Sequence, residues 1–357
     1  MKIGLVGNIN LGVKVDHTIC SYNRIGNSNK TLYSIWGNTL DNLHSHDILS
    51  GNLNSVITDN KYTYTLSDNS SDNPIDTVDY SYLKKNYARC LIPTKINHLS
   101  IANKNMIKST FNNFFGLNDT ITTLDKMRIG YSGANIIKGF ESEPHFITTN
   151  GYTVGFLSAT EDWIADYSND QNELNNYYIW KLSRDKNMGQ NDKIKHFNAI
   201  RKIQTTKEMC DILIITLNWG DSFAERVSNI IINFCRLFID NGADIVQCTG
   251  INNIMPIEMY GKGFIFYSLG NFINGDIYSY NDSEQYIKYQ SDLSAIATIE
   301  YPQKIEEKTK EYHRNIGILT ITPTVSLIKY GNSLEKVNVN IASIEDGKNI
   351  IKILLNK

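Results

Sequence analysis

Asparagine and lysine hold most of the positions from which this chain could do chemistry. Asn8 lies in Gly7-Asn8-Ile9-Asn10-Leu11-Gly12, Asn54 in Gly51-Asn52-Leu53-Asn54-Ser55, and Asn103, Lys104 and Asn105 in Ile101-Ala102-Asn103-Lys104-Asn105. Asn218 and Trp219 open Asn218-Trp219-Gly220, Thr249 and Asn252 lie in Cys248-Thr249-Gly250-Ile251-Asn252, and Asn271 lies in Ser268-Leu269-Gly270-Asn271-Phe272. An Asn amide both donates and accepts hydrogen bonds, whereas a lysine ammonium is a donor carrying full charge. Such a set suits recognition of a phosphate or carboxylate. Lys104 is the candidate charge for holding or transforming an anion, and Asp221, just after Asn218-Trp219-Gly220, is the candidate general base. Asp221 and Glu225 equally suit the start of a helix, where acidic side chains complement the dipole. Asn is abundant throughout, so a single Asn carries weight only through its position.

These motifs need strands to deliver them. A short apolar strand at 2–6, ending at Gly7-Asn8, and similar strand-then-loop units at 48–53, 99–103, 154–158, 212–217, 245–246 and 264–269 predict strands that end in site-bearing loops. Between them, 121–127 and 226–240 predict helices. In the second, Val227, Ile230, Ile231, Phe234, Leu237 and Phe238 follow helical spacing up to Asn241-Gly242. This alternation predicts a layered α/β fold. The polar stretch 59–79 predicts an exposed excursion, and 167–207 a polar, partly helical cap. From 291 to 357, alternation of apolar and polar residues predicts antiparallel strands completing the sheets. The 357 residues are read as a single domain.

Composition excludes several classes of function. Lys and Arg number 35 against 37 Asp and Glu, so no basic field is available for nucleic acid. No run approaches the roughly 20 apolar residues of a membrane span, and Met1 leads into no signal sequence. The five cysteines are scattered without a Cys-x-x-Cys pair, which predicts a reduced, cytoplasmic protein. Cys248, with no local His as base, is expected to be a buried, inert thiol.

Taken in order, the motifs resemble those of the CapA-type capsule-synthesis family, the poly-gamma-glutamate biosynthesis proteins built on the calcineurin-like metallophosphatase fold. The first four segments look like the family's G-D-x-M-L-G, N-L-E, A-N-N-H and H-W-G. Gly242-Ala243-Asp244, Pro256-Ile257-Glu258-Met259-Tyr260 and Phe266-Tyr267-Ser268-Leu269-Gly270-Asn271-Phe272 follow at the family's spacing. The resemblance spans 2–275 and implies a metallophosphatase-like β-sandwich flanked by helices. It also implies two metal ions and a metal-activated water that attacks a phosphoester. Here, however, Asn8 replaces an Asp, Asn54 a Glu, Lys104 a ligand Asn, and Asn105 and Asn218 each a His, while the G-H-H-P-H segment has become 248–252. Neutral amides and an ammonium are a poor set for divalent ions, so neither metal nor cofactor is expected. His17, His44, His46 and His98 offer no ligand spacing that would restore one.

The resemblance thus implies a protein of cell-surface polymer or amide-linked metabolite biosynthesis with its di-metal centre lost. It would bind an anionic small molecule or polymer, or serve in an assembly with a ligase or transferase. One alternative is a metal-independent transferase or hydrolase working through Lys104 and the Asn cluster. A further alternative is a metal-dependent phosphodiesterase. Trp219 is expected to pack beneath the cleft, and Asp244, Glu258 and Tyr260 to serve the framework.

Overall fold

A computed structural model describes residues 1–12, 14–16, 18–19, 32–59, 64–65, 77–78, 81–110, 115–136, 142–162, 181–183, 190–220, 222–275, 287–303, 317–330 and 335–356. In chain order the strands begin with β1 (Lys2–Asn10), β2 (Ile48–Leu53), β3 (Val56–Ile57), β4 (Tyr64–Thr65), β5 (Thr77–Val78), β6 (Tyr82–Leu83), β7 (His98–Ser100), β8 (Gly130–Ser132), β9 (His145–Thr149) and β10 (Tyr152–Asp162). They continue with β11 (Lys181–Ser183), β12 (Ile212–Asn218), β13 (Ile245–Thr249), β14 (Ile254–Tyr260), β15 (Gly263–Leu269), β16 (Asn271–Asn274), β17 (Leu293–Glu300), β18 (Ile318–Tyr330) and β19 (Glu335–Ile341). The helices are α1 (Leu40–His44), α2 (Lys104–Thr110), α3 (Phe115–Met127), α4 (Gln190–Glu208), α5 (Asn229–Asp240) and α6 (Ile344–Leu354), with a 3-10 segment at Lys85–Thr94.

Two mixed sheets face one another. The first runs β19-β18-β17-β1-β2-β7-β8, with β16 also on β1; the second runs β11-β10-β12-β13-β15-β14, with β9 on β10. Ile3, Leu5 and Ile48 of the first sheet pack against Phe156, Ile214, Ile245 and Phe266 of the second. Burying each such side chain is worth about 1.5–3 kcal/mol. On the outer face of the first sheet, Leu43, Leu91, Leu117, Ile121 and Leu124 cover Val6, Ile9, Leu49 and Leu99. On the outer face of the second, Ala199 and Ile203 of α4 and Ile231, Cys235 and Phe238 of α5 cover Leu213, Ile215 and Val246. Strands buried on both faces read as unbroken apolar runs, as in Ile212-Leu213-Ile214-Ile215. The layered, helix-flanked sandwich is therefore the observed architecture.

Local differences from the sequence reading have physical causes. Strand β1 does not end at Gly7 but continues to Asn10, because β2 and β16 pair with its two edges in parallel. Its β16 edge is shared, since β17 pairs antiparallel with 2–6 and β16 takes over from Asn8. Gly7 marks the exchange, because a Cβ there would overlap the Gly270 carbonyl. Helix α5 begins at Asn229 rather than 226, since the Ser228 side chain caps it by accepting from Ile231 N. Glu225 therefore does not start that helix and pairs instead with Lys288 at 3.3 Å.

The tail closes the first sheet with antiparallel β17, β18 and β19. It then turns helical at α6, where Ser343 caps Asp346 N and Ile350 and Leu354 are buried one turn apart. Most of the 59–79 excursion and about half of the 167–207 cap lie outside the described residues. The exceptions are the short β4–β5 pair, β11 and α4. Among the described residues, no helix is long and apolar enough to cross a membrane.

Candidate functional site

Register brings the asparagines together. Asn8 stands opposite Asn271 on β16 and opposite Asn52 on β2, so three amides lie side by side across adjacent strands. The Asn8 Nδ2 donates to Asn271 Oδ1 at 3.1 Å and to the Ile251 carbonyl at 3.0 Å. Asn52 Nδ2 donates to Asn8 Oδ1 at 3.0 Å. Two residues along, Asn10 Nδ2 also donates to Asn271 Oδ1, at 3.1 Å, and Asn54 Nδ2 donates to Asn10 Oδ1 at 2.9 Å. Five amides thus form one hydrogen-bonded ladder. Asn8, Asn10, Asn52 and Asn271 are each no more than 1% exposed, so these bonds satisfy most of the polar atoms that water cannot reach, while Asn52 Oδ1 is left without a partner among the described residues.

The backbone fixes the direction of the ladder. Asn271 Nδ2 faces the Ser291 carbonyl at 3.3 Å, leaving Oδ1 to accept from Asn8 and Asn10. Asn8 in turn donates to Ile251 O, and its Oδ1 accepts from Gly250 N at 3.2 Å as well as from Asn52. Every amide therefore points its nitrogen toward Asn271 or a carbonyl, and the two branches end on the side-chain oxygens of Asn52 and Asn54. The ladder also ties the sheets together, because Ile251 and Gly250 follow β13 of the second sheet. Gly250 adopts φ +96°, and a Cβ there would come within 2.9 Å of Asn218 Nδ2.

Lys104 reaches across from the first sheet's side to the loop after β12, where its Nζ donates to the Gly220 carbonyl at 2.7 Å. Gly220 N donates to Glu161 Oε2 at 2.9 Å, so this loop is held by a lysine and a buried carboxylate. Asn103 caps α2: its Oδ1 accepts from Met106 N at 3.1 Å, and its Nδ2 donates to Leu53 O at 2.8 Å. Asn105 Nδ2 donates to the Asn54 carbonyl. Asn218 Nδ2 makes a long 3.4 Å contact with Thr249 Oγ1, and the Thr249 carbonyl accepts from Trp219 N at 2.9 Å. Asn252 N donates to the Ser222 carbonyl at 2.8 Å. Trp219 is 3% exposed and packs in the outer core of the second sheet, where its ring is not available for stacking on a ligand. Asp221 lies outside the described residues.

The neighbouring framework is conventional. Asp244 Oδ2 accepts from Leu213 N at 2.8 Å and from Lys207 Nζ at 2.6 Å, bracing the turn after α5. Glu258 accepts two bonds from Arg236 and one from the Tyr267 hydroxyl. Cys248 and Cys235 face each other in the core at 3.3 Å, and burial, with the neighbouring thiol, pushes the Cys248 pKa well up.

Sequence reasoning passed over Asn10 and Asn52, and weighed His98 only as a metal ligand. Asn10 and Asn52 lie two residues from Asn8 and Asn54, and the period-two alternation of a strand could have found them had β1 been extended. His98 accompanies the ladder deeper between the sheets. Its Nδ1 lies 2.8 Å from Ser50 Oγ and its Nε2 2.9 Å from Ser132 Oγ, which is 2.6 Å from Ser158 Oγ on the second sheet. Complete burial, and then His145, push its pKa well down, so the ring is a neutral bridge.

The donor set does not fit a pair of divalent ions. The amide oxygens of Asn8, Asn10 and Asn271 already accept hydrogen bonds, and an ammonium stands where the family resemblance implies a ligand. Among the described residues, no three His, Cys, Asp or Glu side chains cluster as metal ligands. His44 bonds Pro93 O and His46 bonds Thr298 Oγ1, both apart from the ladder. His17 lies outside the described residues.

Residues 2–276 match the family described as bacterial capsule synthesis protein PGA_cap. The capsule biosynthesis protein CapA of Bacillus anthracis is 22% identical over 276 residues, covering 76% of this chain and 59% of that protein. The PGA biosynthesis protein CapA of Bacillus subtilis (strain 168) is 27% identical over 150 residues, covering 42% and 38%. The chain thus spans under two thirds of the length of either relative. A hypothetical protein from Thermus thermophilus is similar in structure at a TM-score of 0.47 and 8% identity, covering 90% of this chain and 98% of that one. The NAD nucleotidase of Haemophilus influenzae is similar at a TM-score of 0.37 and 10% identity, covering 76% and 43%.

Proposed function

The chain belongs to the bacterial capsule synthesis protein family, and from that premise we propose that it serves cell-surface polymer biosynthesis as a metal-free binding or assembly component, not as a phosphoesterase. The amide ladder carries this reading. Where the family resemblance implies cations held by anionic and imidazole ligands, Asn8, Asn10, Asn52, Asn54 and Asn271 bond to one another and join the sheets. Isosteric amides suit that role, because buried carboxylates packed at this spacing without cations would repel one another.

Lys104 has a structural task in this reading, since it holds the Gly220 loop. An anionic ligand in the cleft would have to compete for that ammonium with the Gly220 carbonyl. The partner is a ligase or transferase that builds the polymer, and the protein works beside it in the cytoplasm.

Deleting the gene in its host and measuring cell-surface polymer tests the proposal. Polymer should disappear and return with the wild-type chain, with Lys104→Ala and with Asp221→Ala. Return with the wild type alone, while both variants fold, would assign those residues to catalysis and refute the non-catalytic reading.

A further inference from the structure

Beside the closed amide ladder lies an open concavity of about 580 Å³, in the range of small-molecule sites. Two of its walls are Ala224-Glu225, tied to Asn253 through Ala224, and the first residues of β14. Its third wall is the segment before β17, anchored to the ladder through Asn271 and Ser291 O. The fourth is α6, which lies beyond the residues matched by the family.

The lining has a consistent chemistry. Pro256 and Ile353 supply the half-buried apolar part of the floor, with Ile254, Met255 and Leu293 largely buried beneath them. On one rim Phe223 stacks on Tyr289 with ring centroids 5.7 Å apart, and Lys288 lies 3.3 Å from Glu225 and 4.8 Å from the Tyr289 ring centre. Lys288 and Glu225 are both largely exposed, so this pair offsets part of the local charge while both groups stay in water. The opposite side offers amides, with Asn349 Nδ2 donating to Gln290 Oε1 at 3.0 Å and Asn356 beside them. Lys352, from the last turn of α6, lines the same wall and forms no ion pair among the described residues.

We infer that this concavity binds a small peptide-like carboxylate. Its apolar side chains would lie on the floor, its amides would pair with Asn349, Gln290 and Asn356, and its terminal carboxylate would meet Lys352. This site is separate from the ladder and does not depend on the function proposed above.

N-acetyl-dileucine and its C-terminal amide serve as probes, with binding read by saturation-transfer NMR and calorimetry on the full chain. The acid should bind, and the amide should bind at least about fivefold more weakly, because it lacks the charge-assisted contact. Lys352→Gln should weaken the acid to the level of the amide, and Lys352→Arg should restore it. Lys348→Gln, on the same helix but outside the lining, should change nothing. Absence of acid binding at millimolar concentration would overturn the inference, as would equal binding of acid and amide, or equal binding by the wild type and Lys352→Gln.

Discussion

Replacing Asn271 by alanine removes the hub of the ladder. Its Oδ1 accepts from two buried amides and its Nδ2 donates to Ser291 O. Asn8 would keep its bond to Ile251 O, but Asn10 Nδ2 and Ser291 O would each lose a partner inside a dry interior. A buried polar group left unsatisfied costs about 1–3 kcal/mol, so two such groups imply a loss of about 4 kcal/mol. Asn54→Ala removes one bond at the partly exposed end of the ladder and should cost only about 1 kcal/mol. Urea unfolding followed by tryptophan fluorescence reads both, since Trp36 and Trp219 are buried. Asn271→Asp adds a sign test. A carboxylate oxygen would face Ser291 O, so the folded state would favour the protonated acid and raise its pKa. The stability of that variant should then be greatest at low pH and fall as pH rises through the raised value. If Asn271→Ala costs no more than Asn54→Ala, the ladder does not hold the sheets.

Three further outcomes follow from the same geometry. His98, His46 and His145 all have pKa values lowered by burial, so the stability they contribute is complete above about pH 6.5 and is lost as pH falls toward their folded values. Burial raises the Asp16 pKa to about 6, giving the opposite slope over the same acid range. Urea midpoints measured against pH should therefore show an acid-side loss that shrinks in His98→Gln. Cys90, Cys235 and Cys248 are buried, and burial pushes the Cys210 thiol to about 11, so native-state alkylation at pH 8 followed by mass spectrometry should leave these four largely unmodified. Gly7→Ala should prevent β16 from pairing with β1 and yield insoluble or strongly destabilised protein, whereas Gly261→Ala, where a Cβ meets nothing within 4 Å, should remain soluble.

The layered fold was legible because strands buried on both faces leave unbroken apolar runs, as at 212–215 and 264–267, and because Asn241-Gly242 ends α5 where the chain must turn. Less legible was anything set by pairing across the sheet. The motif Gly7-Asn8-Ile9-Asn10 reads as a loop in isolation, and only the two parallel neighbours of β1 make it a strand. The candidate set of Asn8, Asn54 and Asn271 was therefore visible through its motifs. Asn10 and Asn52, which connect those three, depended on register. Asn103 illustrates a different limit. A cap and a ligand call for the same residue type, and only the bond from Met106 N distinguishes them. Helix α6 carried the signature Ser343-x-x-Asp346, but the alternation of the preceding strands masked it.

The metal content of the purified chain tests the amide ladder most directly. After incubation with manganese, zinc or iron and removal of free ion, elemental analysis should find well under one equivalent per chain, and melting should be unchanged by chelator. About two tightly held ions per chain, with a melting temperature that falls on chelation, would contradict the replacement of a metal centre by hydrogen-bonded asparagines.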